Sequence, residues 1–243
     1  MTRTRRILLS LGLLAATVVA YLPALSAGFV WNDDTYLTDN PALDSPRALR
    51  LIWTEPRVSE QYYPLVFSTF WAEKKLWGLH PLGYHLVNVL LHAASALLLW
   101  RLLRRLDLPG AFAAAAVFAL HPVCVESVAW VTERKNTLSM VLVLLAANAL
   151  LRREATLEAR EPRRKGRQAD PPPLWLHRPG VLWTAALACF TLALFAKTTA
   201  ALLPAVMLVL VWWRKGRIRW DDLRPLLPLF AVGALLAWNT AHI

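Results

Sequence analysis

Cysteine, glycine and charged residues are all scarce in this sequence. Its 243 residues include two cysteines and nine glycines, and 18% are charged, whereas about 25% is usual in soluble domains. Two cysteines exclude a disulfide-stapled secreted scaffold, and no cysteine or histidine spacing typical of a metal site is present. No glycine-rich phosphate loop is found either. We therefore expect neither a metal nor any other cofactor.

Apolar residues, by contrast, are abundant. They make up 57% of the chain, which excludes a disordered protein. The net charge of +11 lies in short clusters between long apolar runs, a pattern typical of a multi-pass membrane protein and not of a nucleic-acid-binding domain. We predict an all-α membrane bundle of six to seven transmembrane helices, with no nucleic acid partner. The runs are Ile7–Ala27, Leu82–Leu103, Gly110–Cys124, Thr137–Leu151, Val181–Ala196, Thr198–Trp213 and Leu226–Trp238.

The distribution of cations predicts the orientation. With the N-terminus in the cytoplasm, 19 of the 27 lysines and arginines fall in cytoplasmic segments, as the positive-inside rule requires. The preference for arginine, alanine, leucine and proline suggests a bacterial cytoplasmic membrane. We expect one membrane domain over residues 1–243. Its parts are a first span (7–27), an external loop (28–81), a three-helix region (82–151), a basic cytoplasmic linker (152–179) and the remaining spans (180–243).

The external loop carries the first candidate functional residues. Asp33 and Asp34 follow the first span, and a carboxylate at this boundary can act as a general base. The alternative is a solvated pair that merely ends a helix. Within the same loop, residues 65–76 suit an amphipathic helix on the membrane surface.

Other polar residues are predicted to lie near the same face. Lys197 follows the fifth run, where it either meets an anion or only extends its ammonium to the interface. His85, Asn88, His92 and Ser95 share one helical face, which must contact protein or water; the alternative is hydrogen bonding between helices. The topology also places His121, Glu126, Arg134 and Lys135 near the external boundary.

Carboxylates and cations on one membrane face suit the transfer of a sugar from a polyisoprenyl phosphate. The leaving lipid phosphate needs a cation, and the acceptor hydroxyl needs a base. A transporter would instead carry its ionisable residues near the membrane midplane.

Several motifs, taken in order, resemble one known family. They are Trp31-Asn32-Asp33-Asp34 with Asn40-Pro41, Tyr62-Tyr63-Pro64-Leu65, Trp77-Gly78-Leu79-His80-Pro81 with Tyr84-His85 and Asn88, Phe118 through Arg134, and Ala196-Lys197 leading to Leu203-Pro204. With these motifs the chain resembles the N-terminal membrane portion of protein O-mannosyltransferase-like proteins that carry tetratricopeptide repeats. These proteins are a branch of the GT-C membrane glycosyltransferases.

The resemblance implies a GT-C-like bundle, here incomplete, with an external site for mannose transfer to a protein hydroxyl. We expect Asp33 to be the base and Asp34 to support it. The donor phosphate would be bound by Lys197, Arg134 and Lys135, and the substrate pocket would be formed by His85, Asn88, His121 and Glu126. The expected partners are membrane lipid, a polyisoprenyl-phosphate sugar donor and a protein acceptor. The alternatives are a non-catalytic membrane anchor of a repeat protein and a truncated, inactive copy.

Overall fold

The computed structural model describes residues 1–56, 61–159 and 178–242, and these ranges are helical with no β-strand. This confirms the all-α membrane bundle. Most of the predicted basic linker, residues 160–177, lies outside the described residues. The helices are α1 (Arg3–Ala20), α2 (Leu22–Leu25), α3 (Pro41–Asp44), α4 (Ala48–Thr54), α5 (Pro64–Trp77), α6 (Pro81–Arg105), α7 (Ala111–Leu120), α8 (Val125–Ala129), α9 (Arg134–Glu158), α10 (Pro179–Ala196), α11 (Leu203–Lys215), α12 (Trp220–Leu223) and α13 (Leu227–Ala241).

Four segments of the described chain are long and apolar enough to cross a membrane, which makes this a multi-pass membrane protein. A fifth is added if α7 and the segment Pro122–Ala129, bent by 52° at His121, count as one span. This count is lower than the six to seven predicted. Helix α1 begins with three arginines and α9 has charged residues at both ends, so their uncharged stretches are short. The four spans are Pro81–Arg105, Pro179–Ala196, Thr198–Lys215 and Trp220–Thr240.

Helix α9 occupies the centre of the bundle, between α6 and α10. Phe190 of α10 and Leu229 of α13 are fully buried in the same apolar core. Asn148 of α9 donates a hydrogen bond to the Leu98 carbonyl of α6 at 3.1 Å, the kind of polar contact that joins membrane helices.

Helices α1 and α7 pack on the other side of α6. Ala111, Ala115 and Ala119 form a buried stripe along α7, and such small side chains let two helix backbones approach closely. Leu13 of α1 joins the same cluster as Trp100 near the end of α6. The basic N-terminal end of α1 therefore lies at the end of the bundle where α6 carries its last arginines.

The loop predicted to be external packs on the bundle as a small helical subdomain. Helix α5 matches the amphipathic helix predicted for residues 65–76, but its Val66, Phe67 and Phe70 are buried within protein. The expectation of a helix lying on the membrane surface is therefore corrected, since neighbouring loop residues cover these side chains. One of them is Tyr36, whose ring stacks on Phe67 with the centroids 5.4 Å apart.

Candidate functional site

Asp33 is completely buried and holds the external loop against the start of α9. One carboxylate oxygen accepts a hydrogen bond from the Val30 amide at 3.0 Å. The other accepts bonds from the Thr132 amide, at 2.8 Å, and from the Thr132 hydroxyl. With both oxygens engaged and no exposed surface, Asp33 positions the loop.

Asp34, the next residue, is exposed. It opens a single π-helical turn, Asp34–Thr38, and one carboxylate oxygen accepts a bond from the Thr35 amide at 2.7 Å. The turn directs these two neighbouring acids differently, one into the protein and one to its surface. Asp34 is thus the solvent-accessible acid of the pair.

A chain of polar contacts joins this acidic turn to Lys197. Glu133 follows Thr132 and forms an ion pair with Lys135 at 2.9 Å. The Lys135 ammonium also lies 5.7 Å from the ring centre of Tyr36. Asn136 donates to Glu133 and accepts a hydrogen bond from the Lys197 ammonium. Glu133, Lys135 and Lys197 are therefore connected through Asn136 in the first turn of α9.

A cavity of about 370 Å³ opens beside Lys197. The hydroxyl of Ser95 is buried and has no hydrogen-bond partner within the described part of the chain. His92, by contrast, is bonded through Nε2 to the Ala119 carbonyl at 3.1 Å. Residues that line the cavity include His92, Ser95, Ser127, Asn136, Lys197 and Thr199.

Arg134, expected to bind phosphate, is instead at the centre of a buried cluster. It is 0% exposed, and its guanidinium forms a bidentate pair with Glu73 of α5. It also donates to the Asn88 side chain and, at 2.9 Å, to the Tyr84 carbonyl. These contacts occupy the guanidinium, so Arg134 joins α5, α6 and α9 and does not reach the cavity.

The four residues expected to form a substrate pocket do not come together. His85 and Asn88 are buried, and Asn88 donates to the Trp130 carbonyl at 2.9 Å. His121 and Glu126 are exposed around the bend between α7 and α8. None of these four residues is among the described residues that line the cavity. The polar stripe of α6 is thus divided: His92 and Ser95 line the cavity, while His85 contacts the Gly28 carbonyl and Asn88 bonds Trp130 and Arg134.

Burial raises the pKa of two titratable groups near the start of α9, Tyr63 and Glu73. It raises the pKa of the Tyr63 hydroxyl, and the negative charge of Glu133 adds to this effect. Tyr63 therefore stays protonated and can donate a hydrogen bond. Burial also raises the pKa of Glu73, against the opposing effect of the positive charge of Arg134.

Sequence reasoning did not find Asn136, Thr132 or Ser127. Each is an uncharged polar residue near the start of α8 or α9; Ser127 and Thr132 lie within the stretch from Phe118 to Arg134 but were not singled out there. Thr132 and Asn136 directly flank the charged residues Glu133, Arg134 and Lys135, and this position is their one signal. Within the described ranges, no three His, Cys, Asp or Glu side chains are grouped as a metal site would require.

The fold and the site define an all-helical, multi-pass membrane protein. At one end of its bundle, the acid Glu133 is connected to the cation Lys197 through Asn136. Comparison with known proteins gives several relatives that are named protein O-mannosyl-transferases. A protein O-mannosyl-transferase of Caenorhabditis elegans is 30% identical over 148 residues, which are 55% of this chain and 21% of that protein. The protein O-mannosyl-transferase Tmtc1 of Drosophila melanogaster is 37% identical over 147 residues, which are 56% of this chain and 17% of that protein. The protein O-mannosyl-transferase TMTC3 of Mus musculus is 33% identical over 145 residues, which are 55% of this chain and 16% of that protein.

These relatives confirm the resemblance to protein O-mannosyl-transferases that the motifs indicated. The matched region is about a fifth or less of the length of these relatives. No family model matches the chain. No solved structure matches it either.

Proposed function

We propose that this chain takes part in glycosyl transfer at the external face of a membrane. A sugar, mannose, would move from a polyisoprenyl-phosphate donor to a hydroxyl group of a protein. Two findings support this: the names of the relatives, and the connected acid and cation at one end of the bundle. The chain matches only a small part of each relative. We therefore assign the activity of those proteins to this chain only as a proposal.

The exposed Asp34 is the proposed base. The acceptor hydroxyl gives its proton to the Asp34 carboxylate, and the hydroxyl oxygen forms a bond to C1 of the sugar. The bond from C1 to the phosphate oxygen breaks, and its electron pair leaves with the lipid phosphate. Asp33, which the sequence suggested as the base, instead holds the turn that presents Asp34.

Lys197 is the proposed partner of the leaving phosphate. Its ammonium lines the cavity and already bonds Asn136, and an ammonium has three donors. It can therefore hold a phosphate oxygen and Asn136 together. A charge-assisted bond of this kind contributes about 1.5–3 kcal/mol. Lys135, held by Glu133, adds positive charge between Lys197 and the acidic turn.

We further propose a bacterial cytoplasmic membrane with the N-terminus in the cytoplasm. The distribution of lysine and arginine supports this orientation. The packing agrees with it, since the basic start of α1 lies near the Trp100 end of α6. The acidic turn and Lys197 then lie at the opposite, external face.

The observation that carries the proposal is the placement of the acidic turn beside the start of α9. Asp33 is bonded to Thr132, and the next residue, Glu133, is connected through Asn136 to Lys197. The test is mannose transfer from a labelled polyisoprenyl-phosphate mannose to a serine- and threonine-containing acceptor, in membranes that contain the chain. Asp34→Asn should lower the rate by about 10²–10⁴-fold, the usual cost of losing a general base. Asp39→Asn, which changes an exposed acid just after the same turn, is the matched control.

Donor binding separates the role of the cation from that of the base. Lys197→Met should weaken the binding of a non-transferable donor analogue by about 10-fold to 100-fold, whereas Asp34→Asn should leave this binding within about twofold. Full transfer by Asp34→Asn would refute the assignment of the base. A parent chain that neither binds donor nor transfers mannose would contradict the proposal and favour a non-catalytic membrane anchor.

A further inference from the structure

A second polar cleft lies at the other end of α6. Three arginines from its last turns, Arg101, Arg104 and Arg105, line a cleft of about 190 Å³. Arg152 of α9 is close enough to Arg105 for their charges to repel. Three positive charges therefore line the cleft, and a fourth lies nearby on the neighbouring helix α9.

Nothing in the described part of the chain neutralises this charge. None of the four arginines forms an ion pair with a described carboxylate. The Nε atom of Arg105 is buried and has no hydrogen-bond partner among the described residues. Arg104 is held in place beside Trp100, with its guanidinium carbon 5.6 Å from the ring centre. Clustered like charges and a buried donor without a partner are both unfavourable, and one bound anion would relieve both.

We propose that this cleft binds the phosphate group of an anionic phospholipid. A guanidinium can form two parallel hydrogen bonds to phosphate, and three guanidinium-bearing residues line the cleft. The cleft is smaller than the roughly 300–1,000 Å³ typical of pockets for whole small molecules. It therefore fits a phosphate group and not a nucleotide.

The position of the cleft indicates a lipid as the source of that phosphate. Helix α6 is a candidate membrane span of 25 residues. Arg105 is its last residue and lies about 36 Å from Pro81, its first, at ~1.5 Å per residue. This length covers the roughly 30 Å hydrocarbon core of a bilayer. Phospholipid headgroups lie at this boundary, and basic pockets between membrane helices bind them. The site is independent of the proposed glycosyl transfer.

The test is a titration of the purified chain, in a zwitterionic detergent, with short-chain phosphatidylglycerol. Binding is followed directly and through the shift in the unfolding temperature. Short-chain phosphatidylcholine and inorganic phosphate are titrated in parallel. We expect phosphatidylglycerol to bind and raise the unfolding temperature, and phosphatidylcholine to do neither.

Variants locate the site. Arg105→Gln and Arg104→Gln should each weaken phosphatidylglycerol binding about tenfold or more, because each removes a charge-assisted contact. Arg104 is exposed, so its variant tests the site even if Arg105→Gln folds poorly. Arg217→Gln changes an exposed arginine outside the cleft and should bind as the parent does. Unchanged affinity in the Arg104 variant would overturn the site, and inorganic phosphate binding as tightly as phosphatidylglycerol would overturn the lipid as its source.

Discussion

The buried pair of Arg134 and Glu73 should be the most sensitive point of the external subdomain. Arg134→Met removes one partner and leaves the Glu73 carboxylate buried without its cation. Breaking a buried pair in this way typically costs about 3–5 kcal/mol. The bonds to Asn88 and Tyr84 are lost at the same time, which favours the upper half of that range. For a chain of this size, about 2–4 °C per kcal/mol is expected, so a cost of about 4–5 kcal/mol should lower the unfolding temperature by about 8–20 °C.

The measurement is thermal unfolding of the purified chain in detergent, together with binding of a donor analogue at a temperature where both proteins are folded. Glu73→Gln should also destabilise, and the double variant Glu73→Leu, Arg134→Met should be less destabilised than the sum of the single variants. Donor binding by folded Arg134→Met should stay within about twofold of the parent. The opposite pattern, an unchanged unfolding temperature with lost donor binding, would show that Arg134 binds phosphate after all.

Two further predictions follow from packing and from charge. A Cβ on Gly83 would lie 2.4 Å from the Trp77 ring, so Gly83→Ala should lower the unfolding temperature. Adding Trp77→Leu should restore part of the loss. An unchanged unfolding temperature in Gly83→Ala would mean that α5 and α6 are packed less tightly at this point. In a background without the native cysteines, Asp44→Cys should react with an impermeant thiol reagent on intact cells, and Gln168→Cys should react only after permeabilisation. The reverse pattern would show that the N-terminus is external and that the proposed site faces the cytoplasm.

The sequence predicted the helices well because their signal is local. The runs at Leu82–Leu103 and Val181–Ala196 became α6 and α10 with ends within two residues. The run at Thr137–Leu151 became the longer α9, because polar and charged residues extended the helix at both ends. The division of the α6 stripe was not predictable in this way, since helical periodicity places residues on a face but does not say what covers each part of it.

By itself, the sequence determined the fold class, the relationship to protein O-mannosyl-transferases and the segments that carry acids and cations. Tertiary structure alone decided which of those groups are exposed. Asp33 is buried because it meets Thr132, 99 residues further along the chain. Arg134 is occupied by Glu73, and Lys197 is directed to Asn136, each across 61 residues. Hydropathy and helical periodicity act within a few turns of chain, whereas a charge is buried or exposed according to partners brought in from distant segments.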